Sequence, residues 1–169
     1  HGLSAVLITS PQGHLLIDGA LPQSAPLIAA HIDKLGFKVS DVKVILNSHV
    51  HFDHAGGIAE LQTSSGAKVI ASDIAAKALA NGKSESDDPQ AGHLPPFPPV
   101  ANVEALGKRN TVTVGPLTLN VMHTPGHTPG GTTWTWKSCE GTRCLNVVYG
   151  DSLNAISDES FKYSGDARY

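Results

Sequence analysis

Residues 49–54 read His-Val-His-Phe-Asp-His, three imidazoles and a carboxylate within six positions. Imidazole nitrogens and carboxylate oxygens are what zinc and similar divalent cations bind. His49 and His51 are two apart, so in an extended segment they point the same way. Asp53 and His54 follow where the chain turns and can face a second point nearby, so the spacing predicts two adjacent metal positions. A solvated His-rich loop or a tag is the bland alternative. A tag would be terminal and monotonous, and this run is neither. A second segment, residues 121–131, reads Val-Met-His-Thr-Pro-Gly-His-Thr-Pro-Gly-Gly. Its prolines and glycines fix a sharp turn. His127 stands at the apex between Gly126 and Thr128 and is a candidate ligand. His123 stands at the end of the preceding strand and is expected to make a structural hydrogen bond across the loop instead. His14, His31 and His93 are expected to lie elsewhere.

The flanking pattern says how such ligands would be held. The apolar run at 42–46 reads as a buried strand delivering the first cluster, and Ala55-Gly-Gly57 opens a helical stretch behind it. Apolar runs at 3–9 and 14–18, split by Ser-Pro-Gln-Gly, signal a hairpin. Residues 24–35 carry helical spacing, with Ser24 as the expected N-cap and Gly36 just past the end. Helices are predicted at 57–63 and 73–79 and a strand at 67–71, an alternation that argues for an α/β architecture. Strands are then predicted at 111–114, 117–122, 132–137 and 145–149. Residues 81–99 break the pattern, ending in Pro95, Pro96, Pro98 and Pro99. A long ordered loop of this kind is either functional or a plain surface excursion.

His49-x-His51-x-Asp53-His54, Gly126-His-Thr-Pro-Gly130 and Tyr149-Gly-Asp-Ser-Leu153 together resemble the metallo-β-lactamase superfamily. Within it, Trp134-Thr-Trp136, Asp151-Ser152-Leu153 and Asp88-Pro-Gln90 resemble the third subclass of class B β-lactamases. The resemblance implies an α/β fold, the αββα sandwich, with the metals at one edge between two sheets. It also implies a single domain over residues 1–169 that is incomplete at the C-terminus. Relatives carry a further helix and a strand with one more histidine for the second metal, and no histidine follows His127 here. The family's opening strand is expected to be absent or shortened.

Zinc is the implied cofactor. His49, His51 and His127 would hold the first ion. Asp53 and His54 would hold the second, which is expected to be weak or empty in this chain. Asp53 would also orient the shared hydroxide. The implied reaction is hydrolysis of the β-lactam amide bond by that hydroxide, with carbapenems among the substrates. Ser152 matches the residue that replaces a metal-binding cysteine in this subclass. Gln90 and Asn154 fall in loops that line the substrate cleft, although relatives usually carry Ser or Thr in place of Asn154. Ordinary loop hydrogen bonding is the alternative for all three. Asp151 either bridges the metals, as in glyoxalase-II-like thioesterases, or stands behind the ligands. Thioester or lactone hydrolysis is therefore the competing activity, and a metal-binding fragment of low activity is the competing class.

Composition bounds the rest. The 169 residues suit one domain, and 40% hydrophobic content suffices for a core. A net charge of −3 with scattered Lys and Arg gives no nucleic-acid footprint. No apolar run approaches a membrane span. No charged-then-apolar leader opens the chain, and the abrupt start at His1 fits a mature or trimmed protein. Cys139 and Cys144 bracket Glu-Gly-Thr-Arg. A metal pair, two free thiols and a short disulfide are open readings, with the spacing and the lack of a neighbouring histidine against the first. The resemblance implies the disulfide, which suits a periplasmic or secreted protein. An apolar sheet surface left uncovered would favour self-association.

Overall fold

The computed structural model describes residues 3–168, so the expectations attached to His1 and to the ending at Tyr169 lie outside the described residues. β1 (Val6–Ile8) and β2 (His14–Ile17) form the antiparallel hairpin. The chain then crosses through α1 (Ala25–Lys34) to β3 (Val42–Leu46), which pairs parallel to β2. A short helix α2 (Phe52–Ala55) and α3 (Ile58–Ser65) lead to β4 (Lys68–Ala71), again parallel. After α4 (Asp73–Asn81) a long excursion ends at β5 (Glu104–Ala105), giving a five-stranded sheet in the order β1-β2-β3-β4-β5. The remaining strands, β6 (Thr111–Val114), β7 (Leu117–His123), β8 (Thr132–Glu140) and β9 (Arg143–Tyr149), form an antiparallel four-stranded meander.

Strand periodicity divides the core into two layers. Leu16 and Ile45 face the helices and pack with Ile32, Ile58, Leu61 and Leu79. Leu15, Ile17, Val44 and Leu46 face the second sheet and pack with Val112, Leu119 and the fully buried Trp134. The register slips between His14 and Leu15, so Lys43 bulges out. Val42 thereby faces the helices while Val44 faces the second sheet. Among the described residues no helix covers the outer face of the meander, where Met122 and Val148 are 53% and 64% exposed. The architecture is the α/β sandwich predicted, with helices on one side only.

Local details differ from the sequence reading. The opening strand is only three residues long. Ser24 makes no side-chain cap, because a 3₁₀ turn at Pro22–Ser24 already leads the chain into α1. The working cap is Ser72, whose hydroxyl accepts the Ala75 N–H at the start of α4. α2 and the two-residue β5 were not predicted; each is too short to show a period. Cys139 and Cys144 face each other across the β8–β9 ladder and form a disulfide that closes the exposed hairpin tip.

Candidate metal centre

The site lies where the two sheets meet, past the C-terminal end of β3. Asn47 and Ser48 turn the chain there, and Asp18, at the end of β2, clamps the turn. One Asp18 oxygen accepts the Ser48 N–H (2.7 Å) and the Asn47 amide (3.1 Å). The other accepts the Ser48 hydroxyl (2.6 Å) and the Tyr149 hydroxyl (2.9 Å). Asp18 is fully buried and takes a left-handed backbone (φ 63°), which an aspartate tolerates better than most residues. His49 and His51 follow in extended chain. α2 then turns Asp53 and His54 back toward them, against Gly56, where a Cβ would lie 2.4 Å from the Phe52 carbonyl. The second sheet is tied to the same turn. Thr132 N–H donates to the Ser48 carbonyl (2.8 Å) and the Trp134 indole donates to that of Asn47 (3.2 Å). This brings the β7–β8 connection, and with it His127, over the first cluster.

Four imidazoles converge. The ring of His49 lies 4.9 Å from His51, 4.0 Å from His54 and 4.9 Å from His127, and His51 lies 4.7 Å from His127. Two groups have ligand atoms all within 4.8 Å of one another: His49 with His51 and His127, and His49 with Asp53 and His54. Each ring is gripped through one nitrogen. His49 Nδ1 meets Asp151 Oδ1 (2.6 Å) and His54 Nδ1 meets Asp18 Oδ2 (2.9 Å). His127 Nδ1 meets the Asn154 carbonyl (3.0 Å), and His51 is held through Nε2 by Asp88 Oδ2 (3.1 Å). The other nitrogen of each ring makes no hydrogen bond among the described residues, and that of His54, Nε2, lies 4.0 Å from Asp53 Oδ2. For His49 the corresponding nitrogen, Nε2, is buried without a hydrogen-bond partner. Gripping one nitrogen with an oxygen acceptor is how proteins orient an imidazole as a metal ligand. A buried nitrogen with no partner is costly unless a cation takes it up, so the donor set fits a divalent metal.

The electrostatics favour neutral, ligand-ready rings at His49 and His127. Burial holds His49 well below the usual histidine range, and the neighbouring rings of His54, His51 and His127 add to this. Burial also lowers His127, against the pull of the Asn154 carbonyl. His54 goes the other way. Burial disfavours its charge, but the hydrogen bond and charge of Asp18 outweigh that and raise it. For Asp18, burial alone would raise the pKa, yet His54, His49 and Ser48 together hold it below the ordinary carboxylate value. Burial pushes Asp151 up to about 7, against the backbone hydrogen bond from Ser152.

Comparison with known proteins agrees with this geometry. Residues 2–140 match the family described as the metallo-beta-lactamase superfamily. The chain belongs to that superfamily. The Rm3 metallo-beta-lactamase superposes with a TM-score of 0.94 at 57% identity, covering 99% of this chain and 62% of that one. MEM-A1, a subclass B3 metallo-beta-lactamase from a soil metagenome library, gives 0.94 at 56% identity, covering 99% and 64%. A hydroxyacylglutathione hydrolase of Rhodopseudomonas palustris is 38% identical over 107 residues, 63% of this chain and 32% of its own length. The chain thus spans less than two thirds of the length of each of these proteins. The superfamily uses metal ions, and the His49, His51 and His127 group stands in the described residues where such an ion would sit.

Within the metallo-β-lactamase frame, the residues singled out from sequence fall as follows. His49, His51, Asp53, His54 and His127 come together. Asp151 lies behind the His49 ring, and Ser152 donates its N–H to the Asp151 carboxylate (2.7 Å). Asn154 reaches the site through its carbonyl, not its side chain. Gln90 N–H donates to Asp88 Oδ1 (2.8 Å), while its Nε2 is buried without a partner. His123 is a correction. It ends β7 exposed, in contact with solvent, and among the described residues its ring makes no hydrogen bond across the loop. His14, His31 and His93 lie away from the centre, His14 at the opposite end of β2. Asp18 was missed. Gly131 is needed for close approach, since a Cβ there would lie 2.2 Å from an Asp151 oxygen.

Proposed function

We propose that this chain carries the metal-binding part of a zinc-dependent hydrolase that opens the β-lactam amide bond, carbapenems included. The convergence of His49, His51 and His127 on one point, each gripped from behind, carries the reading. Relatives named as metallo-beta-lactamases at 57% and 56% identity support the substrate class. His49, His51 and His127 would hold the first zinc, and Asp53 and His54 would face the second. Zinc bound by three protein ligands supplies Lewis-acid polarisation and lowers the pKa of a bound water to about 7. Asp53, about one third exposed, would accept a hydrogen bond from that water and orient it. Its neighbour His54 is steadied by Asp18. Ser152, Gln90 and Asn154 would position the substrate. His49 has one free nitrogen and can serve only one ion, so the second position rests on Asp53 and His54 and would bind more weakly.

The disulfide supports a periplasmic or secreted location, and no helix among the described residues is long and apolar enough to cross a membrane. We read residues 1–169 as belonging to one domain. The exposed Met122 and Val148 on the open sheet face support self-association of this chain. Thioester hydrolysis is the second reading, favoured by relatives named hydroxyacylglutathione hydrolase. Asp151 argues against it: its contact to His49 Nδ1 places it behind that ring, away from the free Nε2 where a bridging ligand would be needed. The test is hydrolysis of a carbapenem and of S-lactoylglutathione by zinc-loaded protein, with chelator and His127→Ala as controls. Chelator-sensitive turnover of the carbapenem alone is expected. Turnover of the thioester alone would overturn the proposal.

A further inference from the structure

The geometry points to Asp88 as the residue that sets which nitrogen of His51 faces the metal centre. Asp88 stands in the excursion after α4, and both side chains are 3% exposed. Its two oxygens are divided: Oδ1 accepts the Gln90 N–H at 2.8 Å and Oδ2 meets His51 Nε2 at 3.1 Å. A carboxylate accepts and does not donate, so a neutral His51 ring must carry its proton on Nε2. Nδ1 is then unprotonated, and only an unprotonated nitrogen can ligate a cation. His49, His54 and His127 are gripped the opposite way, by Nδ1, leaving Nε2 to the centre. His51 is the ring turned end for end, and Asp88 selects that orientation.

The excursion is held where this requires it. Ser84 donates its hydroxyl to the Val50 carbonyl (2.9 Å), one residue before His51. Asp158 N–H donates to the Pro89 carbonyl (2.8 Å), joining the excursion to the segment whose Asn154 carbonyl grips His127. Residues 84–90 therefore act as a strap across the site, and Asp88 is its positioning residue. The consequence for metal affinity rests on the metal-centre reading, whereas the tautomer belongs to the metal-free chain.

Asp88→Asn and Asp88→Ala separate this role from a simple turn cap. In Asp88→Asn the amide oxygen must stay with the Gln90 N–H, since a backbone N–H cannot become an acceptor. The NH2 group then faces His51 Nε2 and donates to it, which moves the ring proton to Nδ1. Long-range proton–nitrogen NMR of the metal-free chain at pH 8 reads the tautomer, and competition with a chromophoric chelator reads zinc affinity. His51 should be Nε2–H in the parent and Nδ1–H in Asp88→Asn. Zinc affinity should fall about 10–100-fold in both variants, as for other residues that orient metal ligands. A cap-only role would leave Asp88→Asn like the parent in both readouts, and that result would overturn the inference, as would an Nδ1–H tautomer in the parent. Failure of the parent to bind zinc would overturn the metal-centre reading, while the tautomer result would still decide the role of Asp88.

Discussion

Removing the Asp18 carboxylate should destabilise the metal-free protein by about 3–7 kcal/mol. Its oxygens take five donors with no solvent access: the Ser48 N–H and hydroxyl, the Asn47 amide, His54 Nδ1 and the Tyr149 hydroxyl. In Asp18→Ala the two hydroxyls can rotate, and His54 can move its proton to its other nitrogen. The Ser48 N–H can do neither, and the Asn47 amide keeps only its bond to the His49 carbonyl (2.8 Å) and orphans its other hydrogen; each buried hydrogen left without an acceptor costs about 1–3 kcal/mol. The left-handed backbone at φ 63° adds roughly 1 kcal/mol once the side chain that tolerates it is gone. Against a typical domain stability of about 5–15 kcal/mol this is a large share. Asp18→Asn keeps the shape, the backbone preference and one carbonyl oxygen for the two fixed donors. Its cost should be about half as large. Urea unfolding in the presence of chelator measures both, and at about 1–3 kcal/mol per molar the alanine variant should lose roughly 2 M in midpoint. An alanine variant within 1 kcal/mol of the parent, or an asparagine variant worse than the alanine one, would refute the reasoning.

Three further outcomes follow from packing and charge. Trp134→Ala should cost about 3–5 kcal/mol in thermal unfolding, because the ring is fully buried between the sheets and its indole N–H binds the Asn47 carbonyl. Thiol titration of the denatured protein should find no reactive cysteine before reduction, and reduction should lower stability by no more than about 2 kcal/mol, since Cys139–Cys144 closes a very short loop. The hydrogen bonds of Arg168 hold the partly buried Asp166 carboxyl down to about 2. The contribution of that pair should be in place above about pH 4, where the carboxylate is ionised in the unfolded chain too, and lost as pH falls through 2. Carboxyl NMR titration checks this, and Arg168→Gln should return the group toward about 3.9.

The parts of the site legible in sequence were those whose identity lies in residue type and short spacing. His49, His51, Asp53 and His54 announce themselves within six residues, and His127 within one Pro-Gly turn. What sequence could not show is which nitrogen of each ring is gripped, and by what. Asp18 is a lone carboxylate at a strand end, 36 residues from His54 and 131 from Tyr149, and only the parallel pairing of β2 with β3 brings it under the Ser48 turn. Asp88 stood out only as part of a loop motif, because its partner is 37 residues away. His123 shows the converse. Two histidines flank the same turn, and spacing alone does not say which one the strand turns inward. The strands were readable wherever alternation ran over four residues or more. β5 has two residues and owes its place to pairing with Ile70 and Ala71.

Zinc content after equilibrium dialysis, measured side by side for the parent chain and His127→Ala, tests the metal centre most directly. At least one tightly held zinc per parent chain is expected, through His49, His51 and His127, and its loss from the variant. A parent chain that retains no zinc, or a variant that retains as much as the parent, would contradict it.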